Sequence, residues 1–280
     1  TCMESGKYED AVKAFQNALG ESIGHIGEKE LDICFYKAKA QALDGKTKDA
    51  LATYNAIIKY NKDARAYYLR GDLYMDMGEE KKGRADFESA VQQGKKNYEI
   101  YIGIYESLSR HEKKDEGQKY LSAAMEIKGD KPEDELYKGR ISYLLGENKD
   151  AISYLEKAKE HKQMLASYYL GLAYDANGDS DKAKKCIAEY IKSGVATSYD
   201  LYELGMQEMQ DGNYKNALTY FNSGLELEKV PNKQNLMKSA IAAYEYSGDF
   251  DSAKKMMKEY LKAYPDDEEA KHENTFLETR

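Results

Sequence analysis

The sequence predicts an all-α chain, an α-solenoid of stacked antiparallel helix hairpins. Three observations carry that expectation. Glycines at 6, 45, 78, 146, 178, 212 and 248 each open a near-copy of one phrase, among them GKTKDALATY, GENKDAISYL and GNYKNALTYF. With Glu112 counted as a substituted glycine, the intervals run 39, 33, 34, 34, 32, 34 and 36 residues. Self-similarity at one such period means like units stacked in a row in place of a single closed core. Within a unit, apolar residues recur three or four apart, as a helix face requires. Finally, 33% of the residues are charged and only 3 are proline, a composition suited to long exposed helices that nothing breaks from inside.

In chain order, the array occupies residues 1–265 as a half repeat and seven repeats, and residues 266–280 form a closing helix. The residues ahead of Gly6 read as the end of an opening helix. The natural chain is therefore expected to extend upstream, with room there for a signal or lipid-anchoring segment. Residues 20–30, GESIGHIGEKE, insert about five residues relative to the period. Glycines 20, 24 and 27 make that joint a flexible loop. Residues 164–192 show one repeat in full. Leu165, Tyr168, Tyr169, Leu172 and Ala176 follow helical spacing, and Asn177-Gly178-Asp179 supplies a turn in which glycine takes the left-handed conformation. Asp179 or Ser180 caps the next helix, which carries Ala183, Ile187 and Tyr190 on one face. EKVPNKQ, residues 228–234, adds about two residues before the last repeat. The polar run DDEEAKHENTFLETR after Pro265 suits the end of a solenoid.

Two small positions make each hairpin tight. Seven residues before the turn stand Ala38, Gly71, Gly139, Gly171 and Gly205. Five residues after it stand Ala11, Ala50, Gly83, Gly117, Ala151, Ala183, Ala217 and Ala253. Small residues at matched points let two antiparallel backbones approach. Four residues further on, Phe15, Tyr54, Phe87, Leu121, Leu155 and Phe221 are expected to fill the space toward the neighbouring hairpin.

This pattern resembles the tetratricopeptide repeat family. Gly71, Tyr74, Gly78, Phe87 and Ala90 carry the likeness most fully, with Gly83 where alanine is usual; Gly171, Tyr174, Gly178 and Ala183 carry it again. Tyr105 and Glu112 replace both glycines of one unit, and the family's early tryptophan is absent. Pro265 stands at the usual proline position, with Pro132 and Pro231 near equivalent points. The resemblance implies a right-handed superhelix whose first helices line a concave groove for partner peptides. It also places Tyr74, Tyr174 and Tyr244 at a buried packing position.

Charge and chemistry narrow the function. A net charge of −8 argues against nucleic-acid binding, which needs a basic face for phosphates. Nearly all positive charge is lysine, read as solvated padding; arginine occurs only at 65, 70, 84, 110, 140 and 280. Cys2, Cys34 and Cys186 lie far apart with no CxxC, so neither a zinc site nor a disulfide framework is expected. His25, His111, His161 and His272 fall on separate units and read as solvated. No acid–base pair, phosphate loop or membrane-length apolar run is present. The expectation is a non-enzyme without metal, cofactor or small-molecule substrate.

Projecting the first helices inward places Phe35 and Lys39 in the groove, then Arg65, Tyr68, Asp72 and Met75, then Glu99, Ile102 and Glu106. Leu136, Arg140 and Tyr143 follow, with Tyr168, Leu172 and Asp175. The last sets are Tyr199, Tyr202, Met206 and Met209, and Lys238 with Glu245. From these, Tyr68, Asp72, Arg140, Tyr143, Tyr168, Leu172, Tyr199, Tyr202 and Met206 are the expected partner contacts. Tyrosine and methionine give large, adaptable contact area. The lysine–asparagine clamp of chaperone-binding relatives is missing: Lys238 alone is basic in its row, with Ala242 four residues on. The reading is a scaffold binding a peptide or helix, its partner a protein. Alternatives are a structural, self-associating surface component or the regulatory array of another domain. The lysine-rich, tyrosine-rich style resembles tetratricopeptide lipoproteins of Gram-positive bacteria, which implies a surface-anchored location, the alternative being cytoplasmic.

Overall fold

The computed structural model describes residues 3, 6–21, 26–129 and 131–280; Cys2, Gly24 and His25 lie outside them. The described residues form sixteen helices and no strand. They fall into two compact units, residues 1–192 and 193–280. The first holds α1 (Tyr8–Glu21), α2 (Glu28–Leu43), α3 (Thr47–Asn61), α4 (Ala64–Asp76), α5 (Glu80–Gln93) and α6 (Tyr98–Arg110). It continues with α7 (Lys114–Met125), α8 (Pro132–Leu145), α9 (Asn148–Glu160), α10 (Leu165–Ala176) and α11 (Ser180–Lys192). The second holds α12 (Ser198–Gln210), α13 (Tyr214–Leu225), α14 (Lys233–Tyr246), α15 (Phe250–Ala263) and α16 (Glu268–Leu277). Helix α1 is the half repeat, α2 to α15 are seven hairpins, and α16 follows Pro265.

The helices begin where the chain offers acceptors to free backbone N–H groups. Asp63 accepts from Arg65 and Ala66 at the start of α4, and Asp249 and Asp267 do the same work for α15 and α16. Thr197 and Asp200 form a reciprocal capping box on α12. Asp179 accepts from the Lys182 N–H at the head of α11. Pro132 starts α8, where its missing N–H costs nothing.

Every repeat turns through the same backbone conformation. Gly6, Gly45, Gly78, Gly146, Gly178, Gly212 and Gly248 have φ between 70 and 84°, and Glu112, at the substituted position, has φ 60°. The register read from glycine spacing therefore survives where the glycine does not. Glutamate takes a left-handed conformation there that disfavours any side chain with a Cβ.

The hairpin crossings are as close as the small residues require. A Cβ on Gly71 would lie 2.9 Å from the Phe87 ring and 3.0 Å from the Gly83 carbonyl oxygen. On Gly205 it would meet Phe221 at 2.3 Å, on Gly139 Leu155 at 2.4 Å, and on Gly171 Ile187 at 2.4 Å. In the α6–α7 pair the sizes exchange: bulky Tyr105 faces Gly117, whose Cβ would stand 3.2 Å from the Tyr105 backbone. In the four hairpins with a glycine on the first helix, the large side chain of the second helix thus covers that glycine. Such side chains also reach the next hairpin. Phe87 packs with Ile100, Ile104 and Leu108 of α6, and Phe221 with Leu236 and Ala240 of α14. Each core cluster draws on consecutive helices in this way, so no hairpin owns a closed core.

Candidate functional site

In the first unit the first-helix face is laced by charge. Arg65 of α4 pairs with Asp32 of α2 at 3.4 Å and lies 4.3 Å over the Phe35 ring. Arg110 of α6 donates to Asp72 of α4, and His111 meets Asp76 at 3.0 Å. Arg140 of α8 donates to Glu106 of α6 at 2.9 Å, and the Tyr137 hydroxyl donates to Glu99 at 2.9 Å. First helices α2, α4, α6 and α8 are therefore joined in succession by ion pairs or charge-assisted hydrogen bonds. Asp72 and Arg140 both belong to this ladder, and His111, expected to be solvated, is tied to it.

Several side chains projected into the groove are core. Phe35, Met75, Ile102 and Leu136 are all buried. Met75 is packed against its own hairpin partner: a Cβ on Gly83 of α5 would stand 2.7 Å from its sulfur. Tyr68 is half-buried, its ring 6.3 Å from Phe87 and so close to Gly103 of α6 that a Cβ there would stand 2.6 Å away. Burial, with Asp72 and Glu106 nearby, pushes its hydroxyl well above the usual tyrosine range. Tyr143 is half-buried and shifted up for the same first reason, then by Asp175. Tyr168 is half-buried between Tyr169, at 5.1 Å, and Tyr190, at 5.3 Å; Leu172 is half-buried one turn on. At the packing position of the repeat the rings reach solvent in part: Tyr174 donates to Glu156 at 2.7 Å and Tyr244 accepts from Asn222 at 3.2 Å.

The second unit has a different face. Tyr199 of α12 is 56% exposed. Tyr202 is half-buried at 6.2 Å from Phe221, and Met206 and Met209 are half-buried along the same helix. Ser239 donates to the Met206 sulfur at 3.6 Å. On α14, Tyr246 is 68% exposed and stacks on Tyr214 at 5.3 Å. Lys238, the single basic residue in its row, gives its ammonium to Asp267 at 2.8 Å and lies over the Tyr260 ring. The exposed rings of Tyr199 and Tyr246, with half-buried Tyr202, Met206 and Met209, offer desolvation and contact area to a partner.

Sequence reasoning missed two features. Tyr246 lies beyond the positions projected inward, although a large aromatic just before a turn glycine was visible. The arginines were noted as scarce and Arg65 and Arg140 were projected into the groove, but the ion pairs that Arg65, Arg110 and Arg140 make between repeats were not foreseen. Among the described residues no three His, Cys, Asp or Glu side chains converge as a metal site would need, and no helix is long and apolar enough to cross a membrane.

Tetratricopeptide repeat family models match residues 3–59, 37–98, 165–193 and 234–267, together more than half of the chain. No curated protein matches the chain in sequence. Among solved structures, a tetratricopeptide repeat protein from Parabacteroides merdae is similar with a TM-score of 0.52 at 12% identity, over 86% of this chain and 94% of that one. PilW, a type IV pilus biogenesis factor, gives 0.48 at 18% identity over 75% of this chain and 97% of its own. The Cut9–Hcn1 hetero-tetramer gives 0.47 at 16%, over 96% and 52%. Matched repeats, left-handed turns at the family's period and glycine-lined crossings agree, and the chain belongs to the tetratricopeptide repeat family.

Proposed function

We propose that this chain is a non-catalytic scaffold that holds an extended peptide or a partner helix against its first helices, chiefly those of the second unit. One observation carries the reading. Helix α12 keeps its hairpin core filled with Leu201, Leu204 and Gly205, yet turns Tyr199 to solvent, with Met206 and Met209 half-covered beside it. Tyr199 is among the most exposed large apolar side chains of the chain, and that face is suited to protein contact. Tyr68, Asp72, Arg140, Tyr143, Tyr168 and Leu172 would extend the contact in the first unit, where a partner must work alongside the ion-pair ladder.

The test is selection of a random dodecapeptide phage library on the immobilised full chain, followed by binding to Tyr199→Ala. The expected result is enriched peptides that bind the variant at least tenfold more weakly, while its unfolding free energy stays within about 0.5 kcal/mol of the parent. Failure to enrich any peptide, or enriched peptides indifferent to Tyr199, overturns the reading.

A further inference from the structure

Helices α14, α15 and α16 enclose a cleft of about 410 Å³. Its floor is apolar: Ile241, Met257, Tyr260 and Ala270 are all buried. Its rim carries the carboxylates of Glu245 on α14 and of Glu269 and Glu273 on α16, with the exposed ring of Tyr246 beside them.

This rim differs from the ion-pair ladder of the first unit. On the first helices of the first unit, Asp32, Asp72, Asp76 and Glu106 each meet an arginine or histidine. Around the cleft the one cation is Lys238, held by Asp267 at 2.8 Å and only 3.9 Å from Glu269. Among the described residues no ion pair reaches Glu245 or Glu273. Glu245 is the unusual member: its Oε1 is sealed from solvent and accepts no hydrogen bond. An ionised oxygen desolvated without a donor is destabilising unless a cation arrives. Burial and the neighbouring Glu273 push its pKa above the ordinary glutamate value accordingly. A cation that replaces the lost solvation must bring an apolar stem to suit the floor, which describes a basic side chain. The Tyr246 ring adds a face for the charged head.

Resting on the scaffold reading above, we propose that this cleft receives a lysine or arginine side chain of the bound peptide, its stem on Ile241, Met257 and Ala270 and its head between Glu245 and Glu273. Charge complementarity selects this occupant over an acidic or purely apolar segment, because either of those would leave Glu245 desolvated with no partner.

Peptides selected from the random dodecapeptide library on the full chain test this directly. The expected result is a basic residue enriched at one position. Replacing it with norleucine in a synthetic dodecapeptide of that consensus then weakens binding at least tenfold. Glu245→Gln and Glu273→Gln should weaken the basic peptide similarly while binding the norleucine peptide as the parent does. Glu245→Gln should melt no lower than the parent, since it removes a desolvated charge; a site that was merely structural would lose stability together with binding. Peptides that require Tyr199 but show no basic preference and ignore both glutamine variants would overturn the cleft assignment and leave the scaffold reading intact. Failure to enrich any peptide would overturn both. The norleucine comparison uses only the parent protein, so it decides the matter even if a variant does not fold.

Discussion

Arg70 of α4 shows at the residue scale what a guanidinium does here that a lysine does not. Its Nε and Nη2 donate to the two oxygens of Asp86 on α5, at 2.7 and 2.6 Å, while Nη1 donates to Asn55 of α3. One fork thus ties three consecutive helices, and only a planar group with several fixed donors can do so. Asp86 is 6% exposed, so its charge depends on that partner. Arg70→Ala is expected to cost about 3 kcal/mol in urea unfolding, because it strands a buried carboxylate. The pair Arg70→Met with Asp86→Leu should regain most of the loss. A single variant costing under about 1 kcal/mol would show Asp86 to be solvated after all. Glu112 makes the converse point. Holding a left-handed conformation costs a non-glycine residue about 1 kcal/mol, and glycine returns part of that as chain entropy in the unfolded state. Glu112→Gly should therefore stabilise by about 0.5 kcal/mol, read from the same unfolding curves; a loss would mean that the glutamate side chain contributes contacts that outweigh its strain.

At the scale of elements, the hairpin is a consequence of size matching at one crossing, and the last helix depends on one carboxylate. Asp267 caps α16 through the Ala270 N–H, accepts from the Tyr260 hydroxyl and pairs with Lys238. These contacts, Lys238 first, hold its carboxyl far below the usual aspartate range. A carboxyl depressed in the folded state contributes stability that is complete above its unfolded value, about 3.9, and drains away as pH falls toward the folded one. Asp267→Asn should therefore melt lower than the parent at pH 7, and the gap should narrow as pH drops below about 4. A gap that is the same at pH 7 and pH 3 would assign the effect to the cap geometry alone. Much of this level was legible beforehand. Turn register, the small residues of the crossing and the cap after Pro265 all follow from local spacing, and even Glu112 was identifiable from its interval. The groove was less legible. A helical wheel says which way Met75 or Ile102 points, but not that the packed neighbours bury it. Gly103 was the overlooked sign: a lone glycine inside a helix often marks a neighbour's close approach, here the ring of Tyr68. Pairs such as Arg110 with Asp72 lie 38 residues apart and join different repeats, so no local pattern announces them.

For the whole molecule, the division of labour is between faces. Within each unit the second helices supply most of the large side chains that seal the crossings, with Tyr105 of α6 the exception, and stability accumulates from neighbour to neighbour. First helices α2 to α8 of the first unit spend charge on one another, whereas those of the second unit turn Tyr199 and Tyr246 to solvent and leave Glu245 without an ion pair among the described residues. Such a face adds little to folding and is suited to a partner. Hydrogen exchange of the full chain, alone and with the selected dodecapeptide, tests this most directly, because it reports protection helix by helix. The account predicts that α12 and α14 gain the most protection on binding and that α13, which lines neither the α12 face nor the cleft, gains the least. Protection concentrated in the second helices, or spread evenly over all of them, would contradict it.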